Sequence, residues 1–120
     1  MADHLPKFKP GQAVTFHAEG PITGGQVVQP GTTDRSVVVA TAASEKAIGT
    51  AGYDAVAGDA VTVHLPGLVD TAKAAAAIAV GAQVEAGASG TVQTATDGLV
   101  LGVALTRAVA AGDVIEFARI

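Results

Sequence analysis

Residues 48–63 read IGTAGYDAVAGDAVTV, and residues 101–117 read LGVALTRAVAAGDVIEF. The second stretch restates the first. Ile48-Gly49-Thr50-Ala51 matches Leu101-Gly102-Val103-Ala104, and Ala55-Val56-Ala57 matches Ala108-Val109-Ala110. After one inserted residue, Gly58-Asp59 with Val61 and Val63 matches Gly112-Asp113 with Ile115 and Phe117. Each copy runs through a Gly-Asp pair into apolar residues at alternate positions. That is how a tight turn feeding a half-buried strand is written, with glycine supplying the positive φ and aspartate bonding the nearby backbone. A pattern repeated across both halves of a chain predicts a duplicated unit, and hence a pseudo-two-fold fold.

Working outward, residues 21–27 (PITGGQV) resemble residues 77–84 (AIAVGAQV), aligned on their Gln-Val pairs with a one-residue gap. The same turn chemistry recurs at Gly11-Gln12, Gly25-Gln26 and, with one residue interposed, Gly81-Ala82-Gln83. Alternation continues in Val14 and Phe16 against Thr15 and His17, in Val61, Val63 and Leu65 against Thr62 and His64, and in Ile115 and Phe117 against Glu116 and Ala118. These runs predict an all-β fold: a small β-barrel or β-tulip of about ten short strands with at most one short helix. The alanine run at 74–77 has high helix propensity taken alone. Its counterpart in the first half is Ala18-Glu19-Gly20-Pro21, whose glycine and proline break helices, so residues 74–79 are expected to connect strands. The polar stretches 29–36 (QPGTTDRS) and 86–90 (AGASG) occupy corresponding places and are expected to be exposed hairpin tips.

The chain has 120 residues and a mass of 11.7 kDa, enough for one core. It divides into an N-terminal arm, residues 1–10, and a single β domain, residues 11–120. Charge is sparse and net negative at -4, without a basic stripe, which argues against nucleic acid as a direct ligand. Cysteine is absent, which excludes disulfides and thiolate metal sites. Mean hydropathy is high at +0.44, yet the most apolar stretch, residues 74–82, is about half the roughly 20 residues that a helical span requires. No membrane partner is expected. Residues 1–11 (MADHLPKFKPG) carry charges and prolines where a secretion signal has its apolar run.

The inventory for catalysis is thin. His4, His17 and His64 have no metal-ligand spacing, and His17 and His64 fall on the polar sides of their strands. Ser89 lies in Gly87-Ala88-Ser89-Gly90, which lacks the spacing of a nucleophile elbow. Asp59 and Asp113 occupy matching positions and a pseudo-dyad could pair them as acid and base, but turn chemistry accounts for both. No enzyme activity, cofactor or metal is expected. Lys46, in Ser44-Glu45-Lys46-Ala47, loosely resembles the modified lysine of lipoyl or biotinyl carrier domains, over three or four residues only. The arm asks for a partner: prolines at 6 and 10 favour extended backbone, and Leu5 and Phe8 suit packing on a neighbour or adding to its sheet.

Several stretches together resemble the small capsid decoration, or cement, proteins of tailed bacteriophages, especially those of actinobacterial hosts. They are residues 5–16 (LPKFKPGQAVTF), residues 22–28 (ITGGQVV), the 48–51 strand leading into 54–63 (DAVAGDAVTV), and the repeat of that signature through residues 101–104 and 112–115. Gly52-Tyr53 and the alanine run depart from the pattern. The resemblance implies a trimeric β-barrel or β-tulip on the outer surface of the virion capsid. It implies binding to the major capsid protein at three-fold positions of the expanded shell, which it stabilises. Combined with the arm, it makes Ala2, Asp3, His4, Leu5, Pro6, Lys7 and Phe8 the candidate capsid-binding residues. A carrier domain and a surface adhesive or glycan-binding module are the alternatives, the latter at odds with one tyrosine and no tryptophan for sugar platforms.

Overall fold

The structure, a computed structural model, describes residues 12–120. Ten short strands carry the fold: β1 (Ala13–Ala18), β2 (Val27–Pro30), β3 (Ser36–Val39), β4 (Gly49–Ala51), β5 (Ala60–His64), β6 (Val69–Lys73), β7 (Gln83–Ala86), β8 (Val92–Thr94), β9 (Gly102–Ala104) and β10 (Val114–Arg119). A single 3-10 turn at Ala88–Gly90 is the one helical element among the described residues. The fold is all-β, as the alternation implies. The alanine run forms no helix: Ala74 bridges Val92 and Ile78 bridges Ala108, with a bend between them, so the segment connects strands.

β1 to β5 close into a barrel in the order β1-β3-β2-β4-β5, and β6 to β10 form a sheet in the order β6-β10-β9-β7-β8. These are the same path. β1 pairs antiparallel with β5 as β6 does with β10, and β2 lies between β3 and β4 as β7 lies between β8 and β9. The parallel β1–β3 contact that closes the first half survives in the second as the one bridge Ala74–Val92. Equivalent bridges also join Ile22 to Ala55 and Ile78 to Ala108.

The register corrects one detail of the sequence alignment. Val27 and Val28 pair with Thr50 and Gly49, while Gln83 and Val84 pair with Val103 and Gly102. Val28 is therefore the equivalent of Val84, and no gap separates the two copies between the Ile22 and Ile78 bridges and these strands. Matching the Gln-Val letters slips the frame by one residue, and in a strand that turns a core position into a surface one.

Duplication reaches the core. The first half buries Ala18, Ile22, Val28, Val37, Ala51, Ala55, Val61 and Val63, and each has a buried counterpart in the second: Ala74, Ile78, Val84, Val92, Ala104, Ala108, Ile115 and Phe117. Aromatic volume changes strand between the halves: Phe16 on β1 has Ala72 as its counterpart on β6, and Val63 on β5 has Phe117 on β10. Gly49 and Gly102 also correspond. A Cβ on either would lie 2.2 Å from His64 O or 2.0 Å from Ala118 O, so neighbouring backbones approach too closely for any side chain. Val27, Ala40 and Ala47 of the first half complete the second half's core, so the halves share apolar burial.

The expected exposed tips differ. Residues 32–35 are exposed, but Gly90 is buried, with Gln26 and Val39 of the first half against it. Gln26 Nε2 donates to Ser89 O at 3.0 Å. The second tip thus keeps Ala88 and Ser89 exposed while Gly90 and the Ser89 carbonyl contact the other half.

Candidate functional site

The residues expected to bind a partner, Ala2, Asp3, His4, Leu5, Pro6, Lys7 and Phe8, lie outside the described residues. Those expected to do ordinary turn chemistry do it. Asp59 Oδ2 accepts from Val56 N–H at 3.1 Å, and Asp113 Oδ2 accepts from Val109 and Ala110 N–H at 2.9 and 3.1 Å. Each carboxylate closes the turn before its own strand, which is where the one-residue insertion falls in the second copy. Among the described residues no three histidine or acidic side chains converge as metal ligands. Lys46 is exposed between β3 and β4. Those strands do not pair with each other, since both pair with β2, so Lys46 is not on the hairpin tip that a carrier lysine occupies.

Charged groups inside the protein serve its architecture. Glu85 on β7 is fully buried. Its carboxylate accepts from Gln93 Nε2 at 2.7 Å, from Thr96 N–H and Gly98 N–H at 2.8 Å each, and from Thr96 Oγ1 at 3.3 Å. Burial works against the charge, but these hydrogen bonds together outweigh it and hold the carboxyl below its ordinary range. Gln29 holds the equivalent place on β2, where its Oε1 accepts from Ser44 Oγ and Thr41 N–H at 2.8 and 3.3 Å. Each half thus uses one buried acceptor to gather the long connection after its β-hairpin. Sequence reasoning passed over both; with the copies in correct register, a polar residue directly after Val28 and Val84 is the signal.

At the seam, Arg119 on β10 donates from Nε to Leu101 O at 3.1 Å and from Nη2 to Ile48 O at 3.3 Å. Its Nη1 lies 4.0 Å from Asp70 Oδ2, which also accepts from Thr50 Oγ1. Burial pulls the guanidinium below its usual range and the Asp70 charge opposes that. The group ties β10 and β6 to β4 of the other half. Glu19 does similar work beyond β1. Thr32 N–H donates to both of its oxygens and Thr33 N–H and Oγ1 to one, at 2.8 to 3.1 Å. The Thr32 N–H bond, helped by the Ser36 and Thr33 hydroxyls, lowers its pKa to about 2.

What remains is surface. The connections 74–82 and 105–113 lie side by side through the Ile78–Ala108 bridge, and together they expose Val80, Leu105 and Val109, with Val114 following on β10. Arg107 and Asp113 are the only charges in residues 74–82 and 105–113, and they cancel. The matching connections of the first half expose Tyr53 and Val56 but carry Glu19, Asp54 and Asp59. The connections of the second half are therefore poor in charge and those of the first are acidic. Exposed apolar residues gathered on neighbouring connections fit attachment to another protein.

A model of the phage cement protein family matches residues 8–119. The chain belongs to that family. No curated protein matches it. Among solved structures it is similar to the head fiber gp8.5 N base in bacteriophage phi29, with 20% sequence identity, a TM-score of 0.75, and coverage of 91% of this chain and 93% of that one. At that identity the likeness concerns the fold, and it includes both halves. Membership of the cement family makes this a structural, capsid-decoration protein associated with the phage head.

Proposed function

We propose that the protein decorates the outer surface of the phage head as a homotrimer at three-fold positions, contacting the major capsid protein and stabilising the expanded shell. The observation that carries this reading is the cement-family match across residues 8–119. Two dissimilar surfaces support the trimer. A cyclic trimer joins two different surfaces of one chain, head to tail, and the exposed apolar residues of one half and the acidic residues of the other supply them. Arg107, among the apolar residues, has acidic partners in Asp54 and Asp59 of a neighbouring copy. Ala2, Asp3, His4, Leu5, Pro6, Lys7 and Phe8 reach the capsid, with Leu5 and Phe8 packing on it. Three shallow contacts on one rigid trimer act together, so a modest contact per subunit holds the whole. The work done is mechanical: neighbouring capsid subunits are bridged against internal pressure.

Light scattering on the purified chain, with and without residues 1–10, combined with sedimentation on purified capsids, tests this reading. The expected result is a trimer in both forms, with capsid binding lost on truncation. A monomer that ignores capsids in both forms would overturn it.

A further inference from the structure

The halves differ at one sheet edge. Leu68 O accepts from Arg119 N–H, and Ala74 exchanges hydrogen bonds with Asp113 and Gly112. With β6 in unbroken register on β10 between these points, alternation turns the backbone groups of Val69, Thr71 and Lys73 away from β10, towards the open edge. The corresponding residues of β1 are Ala13, Thr15 and His17. There Arg35 closes the edge: its carbonyl accepts from His17 N–H at 2.9 Å, its Nη1 donates to Thr15 O at 3.4 Å, and its guanidinium sits 5.5 Å from the Phe16 ring centre.

In the second half Gly90 stands where Arg35 does, both with positive φ, and Ala72 stands where Phe16 does. Among the described residues no hydrogen bond crosses that edge. Thr71 N–H turns instead to the carboxylate of the preceding residue, Asp70, at 2.8 Å. The space left is a groove of about 440 Å³ between Thr71 and Lys73 on one side and Gly24, Gln26, Gly90 and Thr91 on the other. Lys73 is exposed at its rim and forms no ion pair among the described residues. An open strand edge with outward backbone donors and acceptors is a template for a further strand.

We propose that this edge receives an extended segment of the capsid protein as an added strand beside β6. That segment carries an acidic residue across from Lys73 and, next to it, an apolar residue that alternation turns into the groove. The inference rests on the capsid-decoration reading and adds a mode of attachment to it. The occupant follows from that reading, in which residues 2–8 are engaged on the capsid and leave this edge to the capsid protein. Lys73, exposed and without an ion pair among the described residues, suits an acidic residue on the added strand, since opposite charges directly across a strand pair attract.

The test uses full-length protein and capsids of its own phage assembled without the decoration protein. Binding is measured by co-sedimentation for wild type, Thr71→Pro and Lys73→Glu, and amide exchange is followed at Lys73. Proline at position 71 removes an outward N–H with its bond to Asp70 Oδ1 and none of the bonds to β10, so the sheet tolerates it. The expected result is that both variants bind on the order of tenfold more weakly, that Thr71→Pro still unfolds cooperatively well above the temperature of the binding assay, and that Lys73 exchange slows on the capsid. Should Thr71→Pro fail to fold, Lys73→Glu and the exchange rate decide alone. Undiminished binding with unchanged Lys73 exchange overturns the edge contact while leaving the decoration reading standing. Protection of Lys73 in free protein that is lost on deleting residues 1–10 makes the arm the occupant and also overturns it. Failure of the wild type to bind capsids overturns the decoration reading, and this proposal with it.

Discussion

Replacing Glu85 tests how the second half is held together. Glu85→Ala leaves two backbone N–H groups, from Thr96 and Gly98, and the Gln93 amide without their acceptor. At about 1–3 kcal/mol for each buried donor left unmade, and with the 95–101 connection near enough to solvent to recover part, the loss is about 3 kcal/mol. For a domain of this size that lowers the melting temperature by about 12 °C. Glu85→Gln keeps one acceptor and copies what Gln29 already does in the first half, so it costs about 1 kcal/mol. The two substitutions also separate in acid. A carboxyl held below its ordinary range in the folded state stabilises fully above the unfolded value of about 4.3, and that contribution is lost as pH falls through the lower folded value. Urea midpoints measured from pH 7 to pH 2 therefore converge for wild type and Glu85→Gln as the solution becomes acid. A melting temperature for Glu85→Ala within about 2 °C of wild type, or a constant gap between wild type and Glu85→Gln at all pH values, refutes the reasoning.

Three other outcomes are expected. Gly102→Ala must separate β9 from β10, because its Cβ would sit 2.0 Å from Ala118 O; calorimetry should show a loss of about 3 kcal/mol or more, with Gly49→Ala behaving alike. Glu19→Gln removes a carboxylate whose pKa is about 2, so its urea midpoint falls below wild type near neutrality and the difference closes between about pH 4 and pH 2. Asp113→Ala uncaps Val109 and Ala110 N–H and costs about 1 kcal/mol, while capsid binding at the melting-safe temperature is unchanged; lost binding by a folded variant would give Asp113 a role beyond its turn.

Much of the fold was legible because its signals are local and doubled. Gly58 and Gly112 each have positive φ before an aspartate and a strand, and two copies of one turn say more than either alone. Gly20 and Pro21 in one copy also settled the conformation of the alanine run in the other. The frame at Gln26 and Gln83 was not legible, since letter identity outweighs geometry when only a few small residues are compared. Glu85 and Gln29 stayed hidden for a related reason. β7 is buried on three successive residues, because the following connection covers its outer face, and alternation gives no hint of that. The open edge of β6 depends on Arg35 having Gly90 as its counterpart, a correspondence visible only once pairing fixes the register. The surface of attachment is least legible of all, as apolar alanines and valines look the same facing a core or facing a partner.

The most direct measurement is cryo-electron microscopy of expanded capsids of its own phage, with and without the added protein. The account predicts extra density on the outer surface at three-fold positions, shaped as three copies of a two-lobed β domain, and capsids that withstand heating better when decorated. Capsids that show no added density, or density on the inner face alone, would contradict it.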